Sequence, residues 1–288
     1  MRIGFAGAGI MGQGMAENLI KHGHELRVLG HKRRERIEAL IALGAEEAAS
    51  AEALASTSEV IILCLPNSQI VEAVVADMRP GLTAGQLVID TTTAEPQSSR
   101  RLHGELKARG IGFVDAPLAG GTKEAKAGQL GALVGAAAED FERARPVLDC
   151  FCRQVSWFGG PGAGNTAKLI SNYHVLGTVA VIIEAFRLAR EAEIDWQKLY
   201  DVMLCGSGNS LALRRIMDAA VAGDFDGYAF SVANATKDIS YGIELLQSMQ
   251  CTTPLAEAIK DLYVKAAASG DPQRFISRLL AESDNRKH

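Results

Sequence analysis

Gly7-Ala8-Gly9-Ile10-Met11-Gly12 stands directly after the apolar run Arg2 to Ala6 and directly before a helical pattern that opens at about Met11. A G-x-G-x-x-G segment between a strand and a helix constrains the chain more than any other feature. The first glycine allows a tight turn, the second lets backbone approach a pyrophosphate, and the third lets the helix pack on the strand. The helix N-terminus then offers amide donors and a partial positive charge to a phosphate. Gly7, Gly9, Ile10, Met11 and Gly12 are therefore candidate dinucleotide-binding residues. Alone, the same segment also reads as an ordinary Gly-rich turn.

The next 130 or so residues settle that context, because short apolar runs alternate with helical patterns. Arg2 to Ala6, Glu25 to Leu29, Val60 to Leu65, Leu87 to Asp90, Ile111 to Val114 and Gly131 to Val134 read as strands. Continuous apolar runs separated by helices imply βαβ units and a parallel sheet covered on both faces, a Rossmann-type domain. From Asn165 to Ala192 the pattern is one long helix, apolar over much of its circumference through Leu169, Leu176, Val179, Ile183 and Phe186. Five further helical patterns follow, at Trp196 to Leu204, Leu211 to Ala222, Val232 to Met249, Pro254 to Ala268 and Phe275 to Leu280. Gly159-Gly160-Pro161-Gly162-Ala163-Gly164 separates the halves and suits neither a strand nor a helix. The expectation is an α/β dinucleotide-binding domain over 1–162 and an all-α domain over 163–288, joined through the long helix.

The charge balance, 30 Lys+Arg against 34 Asp+Glu, offers nucleic acid or an anionic membrane no long-range attraction. Five scattered cysteines without a C-x-x-C pair argue against a disulfide framework and a zinc site, and favour a reducing compartment. The first strand begins at once, leaving no room for a signal peptide, and the longest apolar stretch, Val175 to Ile183, is too short to span a bilayer. A cytoplasmic protein without membrane or nucleic-acid partners is expected. Neither His22 and His24 nor His174 forms a metal-ligand pair with acidic neighbours at helical spacing, so no metal is expected.

An NAD site carries Asp or Glu at the end of its second strand to accept from the ribose 2′-hydroxyl. Here Leu29-Gly30 stands there, followed by His31, Lys32, Arg33 and Arg34. Loss of the acid removes the repulsion a 2′-phosphate would meet. Cations at the start of a helix oppose its dipole unless an anion binds them. His31, Lys32, Arg33 and Arg34 are thus read as a 2′-phosphate site and the cofactor as NADP(H). The competing reading is a solvated basic run or a weak nucleic-acid patch.

Three more segments matter: Asp115-Ala116-Pro117-Leu118-Ala119-Gly120-Gly121, Gly162-Ala163-Gly164-Asn165-Thr166-Ala167-Lys168-Leu169-Ile170-Ser171-Asn172, and Lys237-Asp238-Ile239. With the glycine loop, extended through Gln13-Gly14-Met15-Ala16-Glu17-Asn18-Leu19, their order and separation make nearly the whole chain resemble the β-hydroxyacid dehydrogenase family. That family includes 3-hydroxyisobutyrate dehydrogenases, tartronate semialdehyde reductases and glyoxylate/succinic semialdehyde reductases. The resemblance implies that Lys168 is the general acid of aldehyde reduction and the base of the reverse oxidation, with Asn172 orienting substrate or lysine. An ammonium suits that task, because hydride arrival puts negative charge on the carbonyl oxygen. Lys168 and Asn172 stand on one helical face, roughly 6 Å apart along the axis. Taken alone, Lys168 reads as a snorkelling surface lysine.

The resemblance also assigns the substrate carboxylate to Ala119, Gly120 and Gly121, a strand-to-helix junction whose backbone amides suit an anion. It places Lys237 against the cofactor, and Leu65, Pro66 and Thr93, which end predicted strands, beside its nicotinamide half. Two departures are visible: Ala119 replaces the usual Ser, and Ser171 replaces the first Asn of a frequent pair. They bear on substrate identity more than on reaction type. The reading is an NADPH-dependent oxidoreductase acting on a small carboxylated aldehyde or the corresponding hydroxyacid, assembled as a homodimer or homotetramer. The alternatives are an imine reductase of the same fold, against which Lys168 argues, and a non-catalytic dinucleotide-binding module.

Overall fold

Phe5, Ile61, Ile62, Val88, Ile89, Phe113 and Val114 are fully buried, as strands of a sheet covered on both faces must be. The structure, a computed structural model, describes residues 1–30, 34–251 and 253–282. The chain opens with β1 (Arg2–Ala6), α1 (Ile10–Lys21), β2 (Glu25–Leu29), α2 (Arg34–Ala42), β3 (Glu46–Ala48) and α3 (Ala51–Ser56). Next come β4 (Val60–Leu63), α4 (Ser68–Met78), β5 (Leu87–Asp90), α5 (Pro96–Lys107) and β6 (Gly112–Asp115). β7 (Leu118–Ala119), α6 (Thr122–Ala127), β8 (Leu130–Gly135), α7 (Ala138–Leu148) and β9 (Cys152–Gly159) complete the α/β part.

The first six strands lie in the order β3-β2-β1-β4-β5-β6, all parallel. That order defines a Rossmann-type doubly wound sheet, with its switch point between β1 and β4. β8 extends it antiparallel to β6 and carries β7 and β9. Alternate residues of each strand serve opposite faces, as the two-residue period requires. Phe5, Ile62, Ile89 and Val114 join the core on one face, and Ala6, Ile61, Val88 and Phe113 the core on the other.

Three strands escape the sequence reading. β3 is a three-residue edge strand, Glu46-Glu47-Ala48, with no apolar run to signal it. β7 has two residues, and β9 has a single buried residue, its first. β4 stops at Leu63 rather than Leu65, because the Leu65 amide leaves the ladder to donate to Thr92 Oγ1 at 3.0 Å. In the glycine-rich segment β9 runs through Gly159 and the next helix begins at Ala163, so only 160–162 is neither strand nor helix.

The remainder is helical: α8 (Ala163–Glu191), α9 (Trp196–Cys205), α10 (Leu211–Ala220), α11 (Val232–Ser248) and α12 (Pro254–Ser269), then a 3₁₀ turn at Ile276–Leu280 where an α-helix was expected. Asp195, Ser210, Ser231 and Thr253 cap α9 to α12, each accepting from the amide three residues on. Val179, Ile183 and Phe186 of α8 form a core with Ile216, Ile239 and Tyr263, and the Tyr263 hydroxyl donates to the Leu176 carbonyl at 2.9 Å.

The compact units are Met1–Lys168 and Leu169–His288, so the division falls one turn and a half into α8 rather than between 162 and 163. The reason is local: the first turn of α8 is tied to the sheet, as described below. By length and composition α8 also passes for a membrane-crossing helix, which the short Val175 to Ile183 stretch did not foretell. Its apolar residues have another use, since Leu176, Val179, Ile183 and Phe186 are core of the helical unit.

Candidate active site

The glycine loop is built by close approach. Gly7 has φ +107°, and a Cβ there would lie 2.1 Å from the Cys64 carbonyl oxygen, just past β4. A Cβ on Gly12 would lie 2.1 Å from the Gly7 carbonyl oxygen. At Gly9 the nearest atom to a Cβ is 4.0 Å away, so the space above the turn is open. Gly9 is the N-cap of α1, whose first turn holds no acid and receives no side-chain cap. A tight turn, an open middle glycine and uncapped amides at a sheet's switch point fit a dinucleotide pyrophosphate. Gly14 and Asn18, in the same motif, have a packing role: a Cβ on Gly14 would meet the Lys126 amide nitrogen at 2.8 Å, and Asn18 Nδ2 donates to the Ala125 carbonyl at 3.0 Å. They seat α1 on α6.

Leu65, Pro66 and Thr93 follow the carboxyl ends of the neighbouring strands β4 and β5, where open α/β sheets bind ligands. Thr91 Oγ1 donates to the Leu63 carbonyl at 2.7 Å and the Thr92 amide to Asp90 Oδ1 at 2.9 Å, which fixes both turns.

At the end of β2 the structure adds an acid. Glu47, on β3, receives both terminal nitrogens of Arg34: Nη1 to Oε1 at 2.5 Å and Nη2 to Oε2 at 2.9 Å. That hydrogen-bonded pair holds the Glu47 carboxyl below its usual range. The cationic run is therefore partly neutralised at Arg34, a correction to a site read as lacking acid. No signal near Gly30 reveals it, because strand pairing alone brings Glu47 beside β2. His31, Lys32 and Arg33 lie outside the described residues.

Asp115, at the end of β6, anchors the start of α8. Its Oδ1 accepts from the Gly162 amide at 2.7 Å and its Oδ2 from the Asn165 amide at 2.8 Å. The buried Asn165 side chain accepts from the Ala94 amide at 2.9 Å and donates to Ser99 Oγ at 3.1 Å. A Cβ on Gly164 would lie 2.4 Å from the Leu133 carbonyl oxygen, so the helix rests directly on strand backbone. Lys168, half-buried, projects from α8 one turn beyond Asn165.

Burial pushes the Asp115 carboxyl up to about 7, against the amide hydrogen bonds that favour its charged form. Its ordinary value is 3.8, so between the two the folded chain keeps a proton that the unfolded chain releases. The stability this residue contributes is complete at acid pH and is lost as pH rises through about 7. Asp115→Asn removes the dependence. The stability difference between wild type and variant, from urea midpoints, is expected to be larger at about pH 5 than at about pH 8; a difference independent of pH contradicts the assignment.

Ala119 and Gly120 are exposed, and Gly120 has φ +117°. The Gly121 amide, expected to meet a carboxylate, donates to Glu124 Oε2 at 2.8 Å in the cap of the short α6. A ligand anion can use that amide only by replacing Glu124.

In the helical unit Asn172 Nδ2 donates to Asp238 Oδ2 at 2.6 Å, and Lys237 Nζ lies 3.1 Å from Asp238 Oδ1. Lys237 also stands 5.6 Å from the centre of the Tyr241 ring. A Lys-Asp pair on a helix ordinarily reads as solvated, yet Asp238 is 4% exposed. Sequence reasoning thus missed Asp238 as the residue that joins Asn172 to Lys237.

A glycine cradle at the switch point of a doubly wound sheet defines the class: a dinucleotide-binding protein. Comparison with known proteins narrows it. Residues 2–159 match the family model described as the NAD binding domain of 6-phosphogluconate dehydrogenase, and 162–281 that described as NAD-binding of NADP-dependent 3-hydroxyisobutyrate dehydrogenase. The chain is 35% identical over 272 residues to the 3-hydroxyisobutyrate dehydrogenase of Pseudomonas aeruginosa, covering 91% of this chain and 90% of that one. It is 32% identical over 286 residues to the NAD-dependent L-serine dehydrogenase of the same organism, covering 96% and 95%. The solved 3-hydroxyisobutyrate dehydrogenase of Mycobacterium tuberculosis with L-serine superposes with a TM-score of 0.87 at 28% identity, covering 97% and 98%. The chain belongs to the β-hydroxyacid dehydrogenase family and is an NAD(P)-dependent hydroxyacid dehydrogenase.

Proposed function

We propose that the protein is an NADP(H)-dependent reductase of small carboxylated aldehydes, or the dehydrogenase of the corresponding hydroxyacids, with Lys168 as general acid and base. The observation that supports the reading is the tether of the start of α8 to the sheet through Asp115, Asn165 and Gly164, which holds the first turns of the helix that carries Lys168. L-serine and 3-hydroxyisobutyrate, named for the relatives, each join a carboxylate to a hydroxyl two carbons from it. Both fall within the substrate class read here, small carboxylated aldehydes and their hydroxyacids.

When bound, the reduced nicotinamide supplies a hydride to the carbonyl carbon. Lys168 Nζ gives its proton to the carbonyl oxygen as charge builds there, so the aldehyde becomes an alcohol and the amine regains a proton from solvent. In oxidation the neutral amine takes the hydroxyl proton. Ala119, Gly120 and Gly121 receive the carboxylate, while Asn172, held through its amide nitrogen by Asp238, keeps its carbonyl oxygen for substrate or Lys168. Lys237 approaches the cofactor. His31, Lys32, Arg33 and Arg34 take the 2′-phosphate. On this reading the protein works in the cytoplasm as a homodimer or homotetramer.

Cofactor preference tests the phosphate site. The ratio of kcat/KM with NADPH to that with NADH is expected to exceed one in the wild type and to fall by at least about tenfold in an Arg33→Ala/Arg34→Ala double variant, the loss of charge-assisted phosphate contacts. A preference for NADH rejects NADP(H) as the cofactor, and an unchanged ratio in the variant rejects the phosphate site at Arg33 and Arg34.

A further inference from the structure

Gly30 has no side chain, and the space where one would begin is filled from elsewhere in the chain. A Cβ on Gly30 would lie 1.9 Å from Glu47 Oε1 and 3.1 Å from Arg34 Nη1. β3 pairs with β2 so that Glu47 is the register partner of Val28, and its side chain reaches along the edge toward the end of β2. The end of β2 is where a dinucleotide site keeps the carboxylate that accepts from the ribose 2′-hydroxyl. The acid missing from position 30 is therefore delivered to the same volume by the neighbouring strand.

We infer that Glu47 is a cofactor-specificity residue, opposing the 2′-phosphate and accepting the 2′-hydroxyl, with Arg34 as its switchable partner. Both side chains face solvent, at 52% exposure for Arg34 and 31% for Glu47, so a ligand can reach the pair. The guanidinium fork is filled by the two Glu47 oxygens, the same bidentate geometry a phosphate would use. A phosphorylated cofactor must take Arg34 from Glu47 and then sit beside the released carboxylate, and like charges at that distance repel. An unphosphorylated cofactor leaves the pair intact and donates its hydroxyl to the carboxylate. Arg34 and Glu47 thus pull the preference in opposite directions.

This inference rests on the proposed phosphate role of Arg34 and is separable from it. Glu47→Gln keeps the size and one acceptor for Arg34 but removes the charge. The measurement is the equilibrium Kd of NADP+ and of NAD+, by calorimetry without substrate, for wild type, Glu47→Gln, Arg34→Ala and the double variant. Glu47→Gln is expected to shift the ratio of the two constants toward NADP+ by about tenfold, and Arg34→Ala to shift it toward NAD+. The Glu47→Gln shift is expected to shrink in the Arg34→Ala background, because the residues share one contact. A ratio within about twofold of wild type in Glu47→Gln overturns the inference. A wild type that binds NAD+ more tightly, yet moves toward NADP+ on Glu47→Gln, defeats the NADP(H) reading and leaves the role of Glu47 standing. The converse pattern, NADP+ preferred and no shift, defeats the role of Glu47 alone.

Discussion

Replacing Lys168 with alanine is expected to lower kcat by about 10²- to 10⁴-fold, the usual worth of a positioned proton donor, and to leave the Kd of the dinucleotide within about twofold of wild type. The split follows from position. Lys168 stands on α8 beyond the turn anchored to Asp115 and Asn165, while the amides proposed to receive a pyrophosphate are those at Gly9 to Gly12, where α1 begins. Loss of an ammonium that acts as charge develops on oxygen removes stabilisation of the transition state more than of the bound substrate. The defect therefore falls on kcat rather than on KM. Lys168→Ala turning over at near the wild-type rate removes this residue from the chemistry. A fall in cofactor affinity of the same size would instead assign Lys168 a binding role.

Gly7→Ala is expected to destabilise the sheet unit by about 3 kcal/mol or more, combining backbone strain at positive φ with a backbone collision. Gly7 sits at φ +107°, and its new methyl would lie 2.1 Å from the carbonyl oxygen of Cys64, whose own amide is tied to the Ala6 carbonyl at 2.9 Å. The unfolding midpoint falls by on the order of 5–10 °C, and dinucleotide affinity falls with it as the loop is displaced. Gly9→Ala is the contrasting control, because its methyl meets nothing nearer than 4.0 Å. That variant is expected to keep the midpoint close to wild type and to lose affinity alone, since the methyl would stand where the pyrophosphate is proposed to approach. Equal stability of the two variants contradicts this account of the loop.

How far the sequence discloses this molecule depends on whether each feature is local. β1, the glycine loop and α1 are contiguous, and a buried parallel strand writes itself as an unbroken apolar run, so that cradle is legible without a structure. Lys168 is singled out by its motif alone, and the apolar helix around it explains little by itself. β3 is illegible because Glu46, Glu47 and Ala48 carry no periodic pattern, and the contact between Glu47 and Arg34 exists only once β3 pairs with β2. Asp115 reads as part of a substrate loop, whereas its carboxylate is turned inward to hold the start of α8. Asp238 reads as half of a solvated pair until the fold buries it against Asn172. In each case the residue type is ordinary and its partner is distant in sequence, so spacing has nothing to register.

The central claim is hydride transfer between a nicotinamide and a small carboxylated aldehyde. A panel of glyoxylate, succinic semialdehyde, tartronate semialdehyde and methylmalonate semialdehyde, each offered with NADPH and with NADH and followed by loss of reduced-nicotinamide absorbance, tests it most directly. The account predicts oxidation of NADPH by at least one of the four, faster than of NADH, and abolished by Lys168→Ala. NADPH that binds but is oxidised by none of them would contradict it.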